Sequence, residues 1–354
     1  MLLVVAHGGN GGMQVQVGLL ARALRAAGCD VAVAAGPGPI DVDVDVVRLP
    51  SLSARTTGAF AAALRRAAAE VAPDVVHGHG LRLAPFLAAA GRRRAVVTCH
   101  GIDPARARGG ATVARLTGVA VASCGQGPRR VLGSVGLRSR VLDNAVPPMP
   151  APTGRADVLA RFELPTADLL VVSPARLTEQ KDPVTLVRAL AHARIATAIL
   201  LGGGPLLPEV ERTVAREGLE GRVRVVGWLD DAREVLASAD VCALASRWEG
   251  QPTVVLEAMA AGVAVAATAC TGTVDTVVDA ESGLLAPVGD AVTLGARLAR
   301  LADPELRGRL TSTGLLTAQA HAPAVVAAAH LDAYERLLAG RWLDPPLPLS
   351  LIHI

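Results

Sequence analysis

Residues 241–262 read Val-Cys-Ala-Leu-Ala-Ser-Arg-Trp-Glu-Gly-Gln-Pro-Thr-Val-Val-Leu-Glu-Ala-Met-Ala-Ala-Gly. The run 241–245 is short and apolar, as a strand covered on both faces of a sheet would be. A Gly-x-Pro turn (Gly250, Gln251, Pro252) follows, and a helix is predicted over 254–261. Pro252 suits the first helical position, where its missing N–H is not needed. The N–H groups of Thr253, Val254 and Val255 then lack helical partners at the carboxyl end of a strand, which makes an anion site by geometry. Glu257 lies one turn into the helix, where a carboxylate can accept from sugar hydroxyls. Glu249 sits in the turn and is read as free to face a ligand. The blander reading, a capped helix with two solvated glutamates, fits the same residues.

Strand, turn and helix in this order form half of a β-α-β unit and predict a parallel sheet. The alternation extends outward through both halves of the chain. In the first, strands are predicted at 2–6, 30–35, 44–49, 74–77, 95–99, 119–123 and 140–142, with helices such as 13–27, 57–71 and 81–90 between them. In the second, strands at 169–173, 198–201, 223–226 and 263–267 join the one at 241–245, and helices at 183–193, 205–217 and 231–237 separate them. Val146-Pro147-Pro148-Met149-Pro150-Ala151-Pro152-Thr153-Gly154 can propagate neither a helix nor a central strand. The expected fold class is α/β, with two doubly wound, Rossmann-like parallel-sheet domains facing across a cleft. Expected boundaries are 1–146 for the first domain, 147–154 for a Pro-rich hinge and 155–321 for the second domain. A C-terminal helix at 322–340 is expected to pack back on the first domain, and 341–354 forms a tail. The last six residues, 349–354, resemble a translated sequencing-adapter end and are set aside.

Composition bounds the class. The 354 residues are 51% hydrophobic and 2% aromatic, with a mean hydropathy of +0.40. That excess is Ala and Val spread along the chain, and no stretch approaches the ~20 apolar residues of a spanning helix. The first residues lack the basic region and long apolar core of a signal peptide. At about 150 residues per domain the length predicts two domains. The five cysteines, Cys29, Cys99, Cys124, Cys242 and Cys270, are odd in number and contain no C-x-x-C, so reduced cytosolic thiols are expected. Residues 1–150 hold 17 Arg, no Lys and 8 acids, a charge of +9, whereas the remainder carries −6. Such asymmetry suggests an anionic partner for the first half. It also follows from an Arg- and Ala-rich chain that scatters arginines over its surface. No aromatics interleave the arginines, so nucleic acid is not an expected partner.

A second segment, Val172-Ser173-Pro174-Ala175-Arg176-Leu177-Thr178-Glu179-Gln180-Lys181-Asp182, follows the first strand of the second half. Lys181 is the only lysine beside 34 arginines. A compact ammonium on a flexible stem does what Arg's wide fork cannot. Two cations and a helix N-terminus can neutralise an anionic group without a metal. In the first half, His7-Gly8-Gly9-Asn10-Gly11-Gly12 joins strand to helix. Its spacing fails as a dinucleotide fingerprint, but glycine allows close backbone approach to a ligand. Thr98-Cys99-His100-Gly101 ends another strand. In Val76-His77-Gly78-His79-Gly80 the two histidines are read as pointing to opposite faces of a strand end, with no Cys or carboxylate cluster beside them. A structural or acceptor-side role is therefore expected there and a metal is not. Asp41-Val42-Asp43-Val44-Asp45-Val46 contains a D-x-D pattern, but its alternation is that of a strand with one wet face.

Glu249 and Glu257 form an E-x7-E pair that resembles the signature of retaining GT-B glycosyltransferases, specifically glycosyltransferase family 4. Residues 172–182 are similar to that family's G-R-L-x-x-x-K-G stretch, with Ala175 and Asp182 in place of its glycines. Gly202-Gly203-Gly204-Pro205, Gly227-Trp228, Gly272-Thr273-Val274-Asp275 and Gly283-Leu284-Leu285 resemble further family stretches. Matches run from about Gly11 to Leu338 and are densest after residue 170. The resemblance implies transfer of a sugar from a nucleotide-diphosphate sugar to an acceptor hydroxyl, without a metal or other cofactor. It implies a catalytic set of His100, Arg176, Lys181 and Glu249. It implies donor contacts from Gly11, Gly12, Gly227, Trp228, Gly250, Gln251, Pro252, Thr253, Val254 and Glu257, the last on the ribose. Rival readings are a sugar-nucleotide epimerase of similar fold and an inactive paralogue that only binds nucleotide sugar. The acceptor is open. An anionic acceptor, or a peripheral contact of the basic first domain with the inner face of the membrane, extends the cytoplasmic expectation. Only the 18 residues 101–118 separate His100 from the next strand, and Cys29 stands where the family often has His, so the acceptor side departs most from the pattern.

Overall fold

A computed structural model of the chain describes residues 1–8 and 11–343; Gly9, Asn10, the side chain of Arg92 and residues 344–354, including most of the expected tail, lie outside the described residues. The chain divides into two compact units, Met1–Ala145 with Ala322–Ile354, and Val146–His321. Residues 142–154, which carry the Pro-rich run, adopt neither helix nor strand.

Unit 1 contains strands β1 Leu2–Val5, β2 Ala32–Ala35, β3 Asp45–Arg48, β4 Val76–His79, β5 Ala95–Cys99, β6 Ala120–Ser123 and β7 Arg140–Val141. Between them lie helices α1 Gly12–Ala26, α2 Thr57–Val71, α3 Ala84–Gly91, α4 Ala107–Thr117 and α5 Gln126–Ser134. The strands pair in parallel in the order β3-β2-β1-β4-β5-β6-β7. Leu2 and Val4 enter one core while Leu3 and Val5 enter another on the opposite face. Successive strand side chains alternate faces, so a sheet covered on both sides needs the unbroken apolar run that β1 supplies.

Unit 2 contains β8 Leu169–Pro174, β9 Ala196–Leu201, β10 Val223–Gly227, β11 Val241–Leu244, β12 Ala264–Thr268 and β13 Leu284–Ala286. Its helices are α6 Arg155–Arg161, α7 Pro183–His192, α8 Leu207–Arg216, α9 Ala232–Ala237, α10 Thr253–Ala260, α11 Ala291–Arg300 and α12 Pro304–Ala320. The order is β10-β9-β8-β11-β12-β13, again parallel, with Leu169 and Val171 in one core and Leu170 and Val172 in the other. The last helix, α13 Pro323–Leu338, belongs to unit 1 and buries Ala327, Ala333, Tyr334 and Leu337 with Leu3 and Val5.

In each unit the strand order reverses at one place, between β1 and β4 and between β8 and β11. Loops leave the carboxyl ends of those neighbours in opposite directions and open a crevice there, which is where such sheets hold ligands.

Several expectations need correction. β4 begins two residues later than the sequence pattern predicts, so His77 and His79 are both strand residues. Of the Asp-Val run only Asp45 and Val46 lie in a strand, although exposure does alternate across 41–46. The register explains this: β3 pairs only with the four residues of β2, Ala32–Ala35, so the run before Asp45 has no strand to pair with. Helices α4, α5, α6, α11 and α12 and strand β13 were not distinguished by the sequence pattern. Among the described residues no two cysteines form a disulfide, and no helix is long and apolar enough to cross a membrane.

Gly202 follows β9 at φ +137°, and a Cβ there would lie 2.2 Å from the carbonyl oxygen of Ala175. Gly202→Ala should therefore lower the urea-unfolding midpoint, with roughly 1–3 kcal/mol of unfolding free energy lost to the backbone strain alone. Gly203→Ala, whose Cβ would stand 3.4 Å from the Trp228 ring, should cost less.

Candidate functional site

The turn after β8 presents Lys181. The N–H groups of Lys181 and Asp182 both donate to Thr178 O at 3.0 Å, closing the turn. Asp182 then takes a left-handed φ of +43°. That conformation suits glycine, and here Asp stabilises it with its own carboxylate. Oδ1 accepts from Thr185 N at 3.2 Å as the N-cap of α7, and Oδ2 accepts from Arg247 Nε at 3.1 Å.

The loop after the adjacent strand β11 is stitched to this turn. Arg247 N donates to Gln180 O at 2.8 Å, and Gln180 Nε2 donates to Trp248 O at 3.0 Å. Lys181 Nζ lies 2.5 Å from Glu249 Oε1, and Ser246 Oγ donates to the same oxygen at 2.6 Å. Glu249 is only 6% exposed. The expectation that it stands free in the turn is thus wrong: a carboxylate this buried needs partners, and Lys181 and Ser246 supply them. Glu249 N also donates to Thr271 O at 2.9 Å. Gly272, at φ +85°, passes so close beneath that a Cβ would meet Gly250 O at 2.2 Å. A side chain at 272 would push the loop off its seat.

Gly250 and Gln251 lead into α10. Gln251 Nε2 lies 3.0 Å from His321 Nε2, whose other nitrogen donates to Thr317 O at 2.8 Å. Pro252 occupies the N-cap rather than the first helical position. Val255 N donates to Pro252 O at 3.0 Å, so two N–H groups, not three, start the helix unpaired among the described residues: those of Thr253 and Val254. Glu257, one turn on, pairs with Arg233 Nε at 3.0 Å from the start of α9. Burial pushes its carboxyl up from the ordinary range, and Arg233 opposes the shift. Burial pushes the Cys242 thiol up to about 12, with Glu257 adding to the shift and Lys181 opposing it, so all three groups share one electrostatic neighbourhood. Trp228 follows β10 and is 64% exposed. Arg176 is exposed; its carbonyl oxygen accepts from Thr178 N at 2.9 Å, while its side chain has no hydrogen bond or ion pair among the described residues. Sequence reasoning missed Ser246, Arg233 and Arg247. Ser246 could have been read from its place at a strand end three residues before Glu249, but no local pattern links residue 233 to residue 257.

In unit 1, Gly11 is the N-cap of α1 and Gly12 its first residue. The expectation for His77 and His79 fails: residues two apart on a strand share a face. Their rings stack with centroids 4.3 Å apart. His77 Nδ1 lies 2.7 Å from Tyr334 Oη and Nε2 lies 2.7 Å from Thr98 Oγ1. His79 Nδ1 lies 2.8 Å from His100 Nε2, and His330 Nδ1 donates to Val326 O at 2.8 Å. Burial holds all four imidazoles below the usual histidine range, His100 and His330 at about 4, and pushes the Tyr334 phenol up. Among the described residues no three His, Cys, Asp or Glu side chains form a metal-holding group.

The family description "Glycosyl transferases group 1" matches residues 168–303, and "Glycosyltransferase Family 4" matches residues 10–127. The lipopolysaccharide core biosynthesis glycosyltransferase LpsE of Rhizobium meliloti (strain 1021) is 35% identical over 53% of this chain and 56% of its own length. The chain spans about half the length of the curated relatives it matches. A crystal structure of Anabaena Alr3699/HepE in complex with UDP and glucose gives a TM-score of 0.82 at 19% identity, over 94% of this chain and 98% of that one. Sucrose-phosphate synthase from Thermosynechococcus elongatus gives 0.79 at 24% identity, over 96% and 99%. Two doubly wound parallel sheets with this likeness are the GT-B fold. The chain belongs to the group 1 glycosyltransferases of the family 4 type.

Two measurements probe these electrostatics. Neutral buried histidines in unit 1 must charge when it unfolds at acid pH, so its stability should fall as pH drops from about 6.5 towards 4. Hydrogen exchange should show β4 and α13 losing protection before β8 and β9; parallel loss would exclude the histidine cluster as the cause. Arg233→Ala should raise the Glu257 carboxyl further. An acid shifted upward on folding carries a penalty that is absent below its unfolded value and full above its folded one. The variant's destabilisation should therefore be larger at pH 7.5 than at pH 5 in paired melts.

Proposed function

We propose that the chain is a retaining, metal-independent glycosyltransferase that moves a sugar from a nucleoside-diphosphate sugar to an acceptor hydroxyl. The observation that carries this reading is the seat after β8 and β11, where Lys181, Glu249 and the start of α10 are bonded into one constellation at the topological switch point. Lys181 and the two unpaired N–H groups at α10 supply positive potential for a diphosphate, and exposed Arg176 supplies a cation with no other partner among the described residues. Glu257, kept in place by Arg233, suits the ribose hydroxyls. The E-x7-E resemblance supports retention. In that mechanism the bond from the anomeric carbon to the diphosphate oxygen breaks as the acceptor oxygen bonds on the same face, and the acceptor proton passes to a phosphate oxygen. On unit 1 the same reading gives Gly11, Gly12 and His100 donor contacts. The exposed Arg93, Arg94, Arg106, Arg108 and Arg129 favour an anionic acceptor or a membrane surface. Work in the cytoplasm suits five cysteines that form no disulfide among the described residues.

The Anabaena neighbour holds UDP, so among UDP, GDP, ADP and TDP, UDP should raise the melting temperature most. With the matching sugar nucleotide, mass spectrometry across anionic and neutral acceptors should find a glycosylated product. Arg176→Ala should leave the melt unchanged and cut kcat/KM by about 10²–10³-fold, with Lys181→Ala losing at least as much. Full turnover in both variants would sink this site. Product formed without an acceptor would favour an epimerase, and binding without turnover a nucleotide-sugar sensor.

A further inference from the structure

His79 is used by nothing above, yet it is a buried ring at the middle of the unit 1 cluster. It is 4% exposed and lies between two others, with centroids 4.3 Å from His77 and 5.1 Å from His100. Its Nδ1 lies 2.8 Å from His100 Nε2. Its Nε2 is sealed from solvent and has no hydrogen-bond partner among the described residues. Turning the ring over would place carbon against His100 Nε2, so the observed orientation is the one that keeps this bond.

A single proton lies between the two neutral rings, and the geometry decides its owner. If His100 Nε2 carried it, His79 would hold its own proton on Nε2, a buried N–H with no acceptor. If His79 Nδ1 carries it, Nε2 is left with an unpaired lone pair only, and a buried orphan acceptor is tolerated better than an orphan donor. Charging both rings would set like charges 2.8 Å apart. We infer that His79 is a positioning residue: it donates from Nδ1 to His100 Nε2 and so fixes His100 as the neutral tautomer protonated on Nδ1. His100 then presents a donor, and the group it meets must be an oxygen acceptor, such as a sugar hydroxyl lone pair or a phosphate oxygen. His77 holds the stack from behind through Tyr334 and Thr98. The cavity lined by His79, His100, Thr98, Gln16 and Asn144 lies beside this bond.

The ligand class rests on the role proposed for His100, but the tautomer does not, and the test separates them. In the full chain labelled with ¹⁵N-histidine at pH 7.5, long-range ¹H–¹⁵N correlation should show His100 with a protonated Nδ1 and an unprotonated Nε2. His79→Phe keeps the aromatic volume and removes the donor, so His100 should shift towards the Nε2–H form and turnover should fall roughly 10- to 100-fold, as loss of an orienting partner costs functional histidines. His79→Asn leaves a smaller side chain but restores an N–H near the position of Nδ1, and it should return His100 to the Nδ1–H form. A merely structural role predicts the reverse, with Phe tolerated and Asn damaging. An Nε2–H signal from His100 in the unsubstituted protein, or an unchanged tautomer in His79→Phe, overturns the inference. Absence of transferase activity from the unsubstituted chain overturns the proposed function and leaves the tautomer result standing.

Discussion

A carboxylate that is 6% exposed and an ammonium 2.5 Å from it set the terms for unit 2. Charges out of water are costly unless each finds partners, and removing one member of such a pair costs about 3–5 kcal/mol because the other stays buried. The backbone around Lys181 and Glu249 answers that demand. Asp182 holds its left-handed turn by capping α7 and gripping Arg247, while Arg247 and Gln180 tie the two loops together. Gly272 leaves the room in which Gly250 rests. The effect of these contacts is to deliver one ammonium and one helix start to the same place, and an anion that draws on Lys181 must share it with Glu249.

The fold was legible because parallel strands covered on both faces announce themselves as short Val- and Leu-rich runs. Leu2 to Val5 and Leu169 to Val172 are such runs, and each sends alternate residues into two cores. Elements with weaker signals escaped. Helix α4 contains Gly109 and Gly110 and buries only the small Ala107, Ala111 and Ala114, a stripe that carries little apolar bulk, and α12, with small and polar residues around its girth, shows no clear stripe. The Asp-Val run shows the limit of periodicity: exposure alternates as the pattern says, but strand pairing needs a neighbour, and only Asp45–Arg48 finds one.

At the site, residue identity was legible and pairing was not. The sequence singled out Lys181, Glu249 and Glu257 by spacing and type. It could not reveal that Glu249 is already engaged by Lys181, because the two meet only once β8 and β11 lie side by side. Arg233 reaches Glu257 from a different helix. The histidines of β4 illustrate a simpler failure. Period two places His77 and His79 on one face, and the stacked pair becomes the centre of a four-imidazole cluster that His330 completes from α13.

That last contribution bears on how the protein is made. Tyr334 and His330 stand 257 and 253 positions beyond His77 along the chain, yet they close its core. On the ribosome, every residue of unit 2 emerges before α13 does, so unit 1 must wait with His77 lacking its phenol partner and one face of its sheet covered by α1 but not yet by α13. The first unit to be synthesised is thus the last to be completed, and a nascent chain is exposed to holdases and proteases for most of its translation.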